Sequence, residues 1–250
     1  MSETGPIRKK QNATGTNTPT LLDIAALERS EVVANACMNR ERNLSGANSY
    51  EADLGLDPLD FLKKVLQRRE EATWLDLCCG TGRALLQAAE ALQKANLKSR
   101  IKLTGVDLVP MFDPIPPVLS CIRLVSASVE SWETDQRFDL ITCVHGLHYV
   151  GDKLGLLQRA SRWMKEDALL MMHLDYRNVR IAGRGLCGAQ IGRGLHRAGF
   201  RYVSGRHLVV GSGNTLHRPL PYRYLGADDK TGPNYTGQAA VDSYYERISG

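Results

Sequence analysis

Residues 75–82 read Leu75-Asp76-Leu77-Cys78-Cys79-Gly80-Thr81-Gly82. Leucines flank a single acid and then give way to glycine, the pattern of a strand that runs into a tight turn. Directly after it, Leu85, Leu86, Ala88, Ala89 and Leu92 recur near the helical period. A strand, a glycine loop and a helix in that order aim backbone N–H groups and a helix N-terminus at one point, where a polar or anionic ligand group is stabilised.

Further strands are expected at 101–106, ending at Asp107, and at 122–126, 138–144 and 168–174, the last apolar throughout as a central parallel strand would be. Helices are expected from near Thr20, with a break near Ser30, and again from Asp57. There Asp57 suits the N-cap and Pro58 the first helical turn, where a missing N–H costs nothing. Two more helices are expected at 153–164 and 185–197. Pro110, Pro114, Pro116 and Pro117 rule out a long helix between the second and third strands. Segments 202–210 and 221–225 are expected to pair as an antiparallel hairpin, and the tail beyond Gln238 to be helical. The alternation predicts an α/β fold: a Rossmann-like, doubly wound, mostly parallel seven-stranded sheet with an antiparallel C-terminal hairpin and an N-terminal helical lid.

The chain's 250 residues are 43% apolar and 24% charged, which suits one large α/β domain with a sizeable core. Residues 1–19 are polar and read as a disordered arm, 20–70 as a helical cap or lid, and 71–250 as the core with its hairpin and tail. The N-terminus lacks a secretory hydrophobic segment, and no stretch approaches the ~20 apolar residues of a membrane span, so a cytoplasmic location with no membrane partner is the expectation. Six cysteines form no CxxC pair and read as reduced thiols, with no metal site. Net charge is +5, but from Tyr176 to Ala227 there are nine arginines and no Asp, Glu or Lys. Such a segment either faces an anionic substrate or nucleic-acid phosphate, or is a solvated face paired with acids elsewhere.

Glycine loops of this kind serve dinucleotides and S-adenosylmethionine. Gly80 and Gly82 supply the first two positions of the dinucleotide fingerprint, but Leu85 occupies the third, and Asp107 lies well beyond the usual acidic position. Asp76 to Gly82 instead resembles the first motif of class I S-adenosylmethionine-dependent methyltransferases. Gly105-Val106-Asp107-Leu108 resembles the second and Arg137 to Cys143 the fourth-strand motif. The resemblance covers about 73–175. It implies S-adenosyl-L-methionine as cofactor and S-adenosyl-L-homocysteine as product. The implied cofactor-binding residues are Asp76, Cys78, Cys79, Gly80, Gly82, Asp107, Leu108, Ala127, Ser128 and Cys143. Cys78 replaces the family's usual glycine, tolerable with a negative φ, and Ser126-Ala127-Ser128 replaces its usual acid.

Methyl transfer needs alignment of the nucleophile and, for some acceptors, a base. His145 and His148, just past the fourth strand, and Tyr50 are the catalytic candidates. Arg42 and the Asn234-Tyr235 turn are further polar groups near the expected substrate side. The resulting expectation is an enzyme methylating an oxygen or nitrogen of a small, anionic molecule. An RNA methyltransferase and a non-catalytic cofactor-binding protein on the same scaffold stand as alternatives. The oligomeric state is left open, with a dimer allowed.

Overall fold

The computed structural model describes residues 20–34, 41–213, 215 and 218–248. The expected arm at 1–19 and Cys37 lie outside them. Seven strands form one sheet in the order β3-β2-β1-β4-β5-β9-β8. They are β1 (Ala72–Leu77), β2 (Ile101–Asp107), β3 (Ile122–Ser126), β4 (Phe138–Cys143), β5 (Met164–His173), β8 (Arg201–Val203) and β9 (Leu208–Ser212). Strands β1 to β5 run parallel, while β9 is antiparallel to both β5 and β8. This is the Rossmann-like sheet expected.

Neighbouring strand residues sort to opposite faces, as strand geometry requires. Leu75 and Leu77 join one core with α6 (Lys153–Arg162) and α7 (Gly188–Arg197). Trp74 joins the other with α4 (Pro58–Leu66) and α5 (Arg83–Lys94). Asp57 caps α4 by accepting from Leu59 N at 2.8 Å, with Pro58 in the first turn. Between β2 and β3, residues 108–121 run without a helix, consistent with the prolines there.

Two expectations about the C-terminal third are corrected. The hairpin forms within 201–212, through β8 and β9, not between 202–210 and 221–225. Its tight connection turns on His207, at φ 49°. The segment after it becomes β10 (Tyr222–Asp228), and the tail forms β11 (Asp242–Arg247) rather than a helix. Alternating burial along Ser243-Tyr244-Tyr245-Glu246 marks a strand, with Tyr245 buried. These two strands, with β6 (Val179–Ile181) and β7 (Gly185–Leu186), make a second sheet in the order β10-β11-β6-β7.

The second sheet carries the N-terminal segment. Leu22 and Ala227 exchange backbone hydrogen bonds of 2.8 and 3.0 Å. A Cβ on Gly226 would come within 2.8 Å of Leu21 and 3.1 Å of the Leu22 carbonyl, so glycine permits this approach. Helices α1 (Ile24–Glu28) and α2 (Glu31–Ala34) follow, separated at Ser30, and their Leu27 and Val33 pack with Ala227 and Val241. A short α3 (Tyr50–Leu54) then leads into α4.

Candidate active site

At the carboxyl ends of β1, β2 and β4 lies a cleft of about 710 Å³, counted to its open mouth. Open α/β sheets bind ligands at this edge. Cys78 and Gly80 line it from the first loop, Asp107 and Leu108 from the second, and His145 and Gly146 from the fourth. Leu27, Glu28 and Val33 close it from above.

The first loop departs from expectation at Cys78, whose φ is +56° rather than negative. Cys78, Gly80 (φ 61°) and Gly82 (φ 79°) make every second residue left-handed. A non-glycine residue there costs roughly 1–2 kcal/mol, so surrounding contacts hold Cys78 in place. A Cβ on Gly146 would sit 2.3 Å from Cys78 Cβ, which shows how closely the β1 and β4 loops approach. Its hydrogen bond to Cys143, and then burial, push the Cys78 thiol well above its ordinary pKa. Burial does the same for Cys79. Both therefore stay protonated thiols at neutral pH.

Leu85, in place of the third fingerprint glycine, is accommodated from the other side. Gly105 of β2 lies beneath it, and a Cβ there would meet Leu85 at 2.7 Å and Cys79 Sγ at 2.8 Å. The close helix–strand contact is kept, with the glycine moved from helix to strand.

Asp107 accepts from Gly80 N at 2.9 Å and from Val109 N at 3.1 Å. It thereby ties the first loop to the second and presents a carboxylate in the cleft wall. Ala127 N donates to the Asp107 carbonyl at 2.9 Å, fixing the β3 loop beside it. The Ser128 hydroxyl, expected among the cofactor-binding groups, donates to Glu28 of α1, and its oxygen also accepts from Glu130 N at 3.1 Å. That hydroxyl tethers the cover.

Asp76 and Tyr50 depart from the roles expected of them. Both are buried, and neither lines the cleft. Tyr50 OH donates to Asp76 Oδ2 at 2.7 Å, and Thr142 Oγ1 donates to Oδ1 at 2.6 Å. Trp74 Nε1 donates to Thr142 Oγ1 at 2.8 Å. Tyr50 also packs edge-on against Trp74. Burial raises the Asp76 carboxyl to about 7, against the lowering effect of its two hydroxyl donors. Asp76 is thus a buried anchor of β1 to α3 and β4, not an acceptor in the cleft. Cys143 is likewise wholly buried beneath the loops.

The two histidines separate. His145 lies in the left-handed region (φ 60°) at the end of β4 and lines the cleft. His148, three residues on, is fully buried, with both ring nitrogens enclosed and unpartnered. Burial, reinforced by His145, holds its pKa well below the ordinary histidine value, so it is neutral. A sealed imidazole cannot reach an acceptor in the cleft, and the catalytic expectation for His148 is withdrawn.

Behind His145 stands a packed polar stack. His173 lies parallel to it at 4.3 Å between ring centroids. Tyr235 OH is 3.2 Å from His145 Nδ1, and Asp53 Oδ2 is 3.5 Å from Nε2. Tyr235 stacks on His207 at 4.0 Å, and its backbone N–H donates to Asp175 at 2.8 Å. Burial works to raise the Asp53 carboxyl, but its contacts with His145 and Arg42 outweigh that and hold it below the usual value. Asp53 is therefore an anion at neutral pH. Burial and His145 lower His173 to about 3, so that imidazole is neutral. Asp53 and His173 carried no signal in the sequence: Asp53 sits within a short helix, and His173 ends a strand that otherwise reads as apolar.

Residues 50–208 match the family model described as a methyltransferase domain. The chain belongs to this family, the class I S-adenosylmethionine-dependent methyltransferases. Over 128 residues it is 31% identical to (S)-coclaurine N-methyltransferase of Papaver somniferum, covering 49% of this chain and 34% of that protein. The chain thus spans about a third of the curated relative it matches. Among solved structures it is similar to coclaurine N-methyltransferase bound to N-methylheliamine and SAH, at 18% identity and a TM-score of 0.36, over 58% of this chain and 41% of that one. It is also similar to SAM-bound CalS10, an amino pentose methyltransferase from Micromonospora echinaspora, at 23% identity and a TM-score of 0.34, over 53% and 58% of the two chains. Among the described residues no helix is long and apolar enough to cross a membrane.

Proposed function

We propose that this protein transfers a methyl group from S-adenosylmethionine to a nitrogen or oxygen of a small molecule. The observation that carries the reading is His145, which stands in the cleft wall between Tyr235 and Asp53. When bound, S-adenosylmethionine supplies a methyl group activated on a sulfonium.

The residues of the cleft suit such a cofactor. Asp107 offers two oxygens at the end of β2, fitted to a ribose diol. The left-handed turn at Gly80 and Gly82 brings backbone close to a ligand without side chains in the way. Leu108, Val129 and Val150 provide apolar wall for a base, with Ala127 fixed beside Asp107. Leu27 and Val33 exclude water from above.

His145 manages the acceptor's proton. The Asp53 anion near Nε2 favours the tautomer with its proton on that nitrogen, leaving Nδ1 to accept. Tyr235 O–H faces Nδ1. In this relay Tyr235, half-buried behind His145 rather than in the cleft lining, takes up the acceptor's proton as its own passes to Nδ1, and Asp53 stabilises the imidazolium that results. Among the described residues the cleft contributes Glu28, Asp107 and Glu130 and no Lys or Arg. That lining favours a neutral or basic acceptor, such as an amine or a phenol, over the anionic one expected from arginine content. The N-methyltransferase among the relatives is consistent with an amine.

A panel of small amines and phenols, incubated with methyl-labelled cofactor, tests the reading. Label should pass to at least one of them. Asp107→Asn should weaken cofactor binding at least tenfold by calorimetry, about 1.4 kcal/mol. His145→Gln and Tyr235→Phe should keep that binding while kcat falls about 100-fold, the low end for a lost acid–base group. Full turnover in His145→Gln refutes the relay, and absence of cofactor binding in the wild type refutes the whole reading.

A further inference from the structure

The arginine-rich segment is left without a part in the cleft, and the structure shows where its charge goes. Three of its arginines are paired: Arg177 with Asp175, Arg180 with Asp242 and Arg223 with Glu246. Among the described residues the other six have no ion pair, and four of them share one site. Arg184, Arg193, Arg197 and Arg218 line a second groove, together with Arg247 from the end of β11 and Tyr222 from β10. All five of these arginines are exposed, and among the described residues no carboxylate lines the groove. Among the described residues none of the five has an acidic partner within 4.0 Å. Such a concentration of like charge is self-repelling and gains stability only when an anion enters.

The groove's size and composition indicate which anion. Its volume of about 830 Å³ lies within the roughly 300–1,000 Å³ of ligand pockets and is far more than one phosphate fills. An extended polyanion fits it better than a single phosphate. Its charges are all arginines, whose planar forks match phosphate oxygens in pairs. Arg193 and Arg197 stand four residues apart on α7, one helical turn, and so share a face. Between them Gly194 leaves room for the Tyr222 ring, which a Cβ would approach to 3.1 Å. Tyr222 OH donates to the Gln190 carbonyl at 3.3 Å, which fixes the ring at the groove wall. A fixed aromatic face among arginines is the pairing that holds unstacked bases beside their phosphates.

We propose that this groove, apart from the methyl-transfer cleft, binds single-stranded nucleic acid along its phosphate backbone. Recognition is electrostatic and stacking-based, independent of sequence, and independent of the proposed transfer reaction.

Fluorescence anisotropy with a labelled 12-nucleotide oligouridylate and the full chain tests this. With five arginines engaged, log K should fall against log salt with a slope near −3.5, about 100-fold weaker at 200 mM than at 50 mM salt. The double variant R193E/R197E, which changes two exposed side chains, should lose at least tenfold in affinity. K64E/K94E makes the same change in net charge on exposed residues of α4 and α5 and should bind as the wild type does. A small anion, inorganic tripolyphosphate, should compete only weakly. Calorimetry with S-adenosylmethionine on the R193E/R197E variant should give the wild-type result, which shows an intact fold and separates this proposal from the methyl-transfer reading. Equal loss in both double variants, no binding at 50 mM salt, or tight binding of tripolyphosphate with none of the oligonucleotide would overturn it.

Discussion

Replacing Tyr50 with phenylalanine isolates one hydrogen bond to a buried carboxylate. The ring is kept, so its edge-on packing against Trp74, at 6.0 Å between centroids, survives. Only the 2.7 Å bond to Asp76 is lost. Asp76 titrates near 7 in the fold and near 3.9 in an unfolded chain, a difference that corresponds to about 4 kcal/mol. Because the folded value is the higher one, that stability is fully present below about pH 4 and is lost as pH rises through 7. At pH 5.5 Asp76 is mostly neutral, and Tyr50→Phe removes a neutral hydrogen bond worth ~1 kcal/mol. At pH 8.5 it is mostly ionised, and the same change removes a charge-assisted bond worth about 1.5–3 kcal/mol. The variant should therefore lose about 1 kcal/mol more at pH 8.5 than at 5.5. Urea denaturation followed by tryptophan fluorescence at both pH values measures this, with equal m-values confirming comparable unfolding. A loss that is the same at both pH values, or larger at 5.5, refutes the assignment of Tyr50 as a donor to an ionising Asp76.

Gly146→Ala would place a Cβ 2.3 Å from that of Cys78. We expect a loss of about 3 kcal/mol, seen as a lower melting temperature, with weakened cofactor binding by calorimetry. An unchanged melting temperature would show that the two loops do not meet so closely. Cys78, with its pKa raised by Cys143 and by burial, should be alkylated by iodoacetamide far more slowly at pH 7.5 than a free cysteine. Peptide mapping reads the rate site by site, and rapid labelling at Cys78 would contradict the protonated thiol.

The architecture was legible because its signals are local. The β1 loop, the strand ending at Asp107, the Asp57-Pro58 helix start and the proline-filled crossover each state their own conformation within a few residues. The C-terminal third was misread for the opposite reason. The strand at 222–228 was legible but its partner was not: it pairs with 242–247, which in turn pairs with β6, across separations that no local pattern records. The site divides the same way. Asp107 and His145 end strands at the binding edge, and topology alone sets them in the cleft. Tyr50 and Asp76 also looked chemical, but polarity in a sequence does not distinguish a group facing a ligand from one satisfied inside the core. His148 lies three residues from His145, and a short 3₁₀ turn at 146–149 sends it inward. Asp53 and His173 meet His145 only once α3, β4 and β5 are packed together.

The cover of the cleft has one further consequence. Leu27, Glu28 and Val33 stand over the loops, and two tethers hold them: the Leu22–Ala227 backbone pair and the Ser128–Glu28 hydrogen bond. One tether belongs to the far end of the chain. Shortening the protein at either terminus therefore has the same outcome, since removing residues 20–28 or the strand at 222–228 unroofs the same cavity. The two ends act as a single clasp over one side of the cleft.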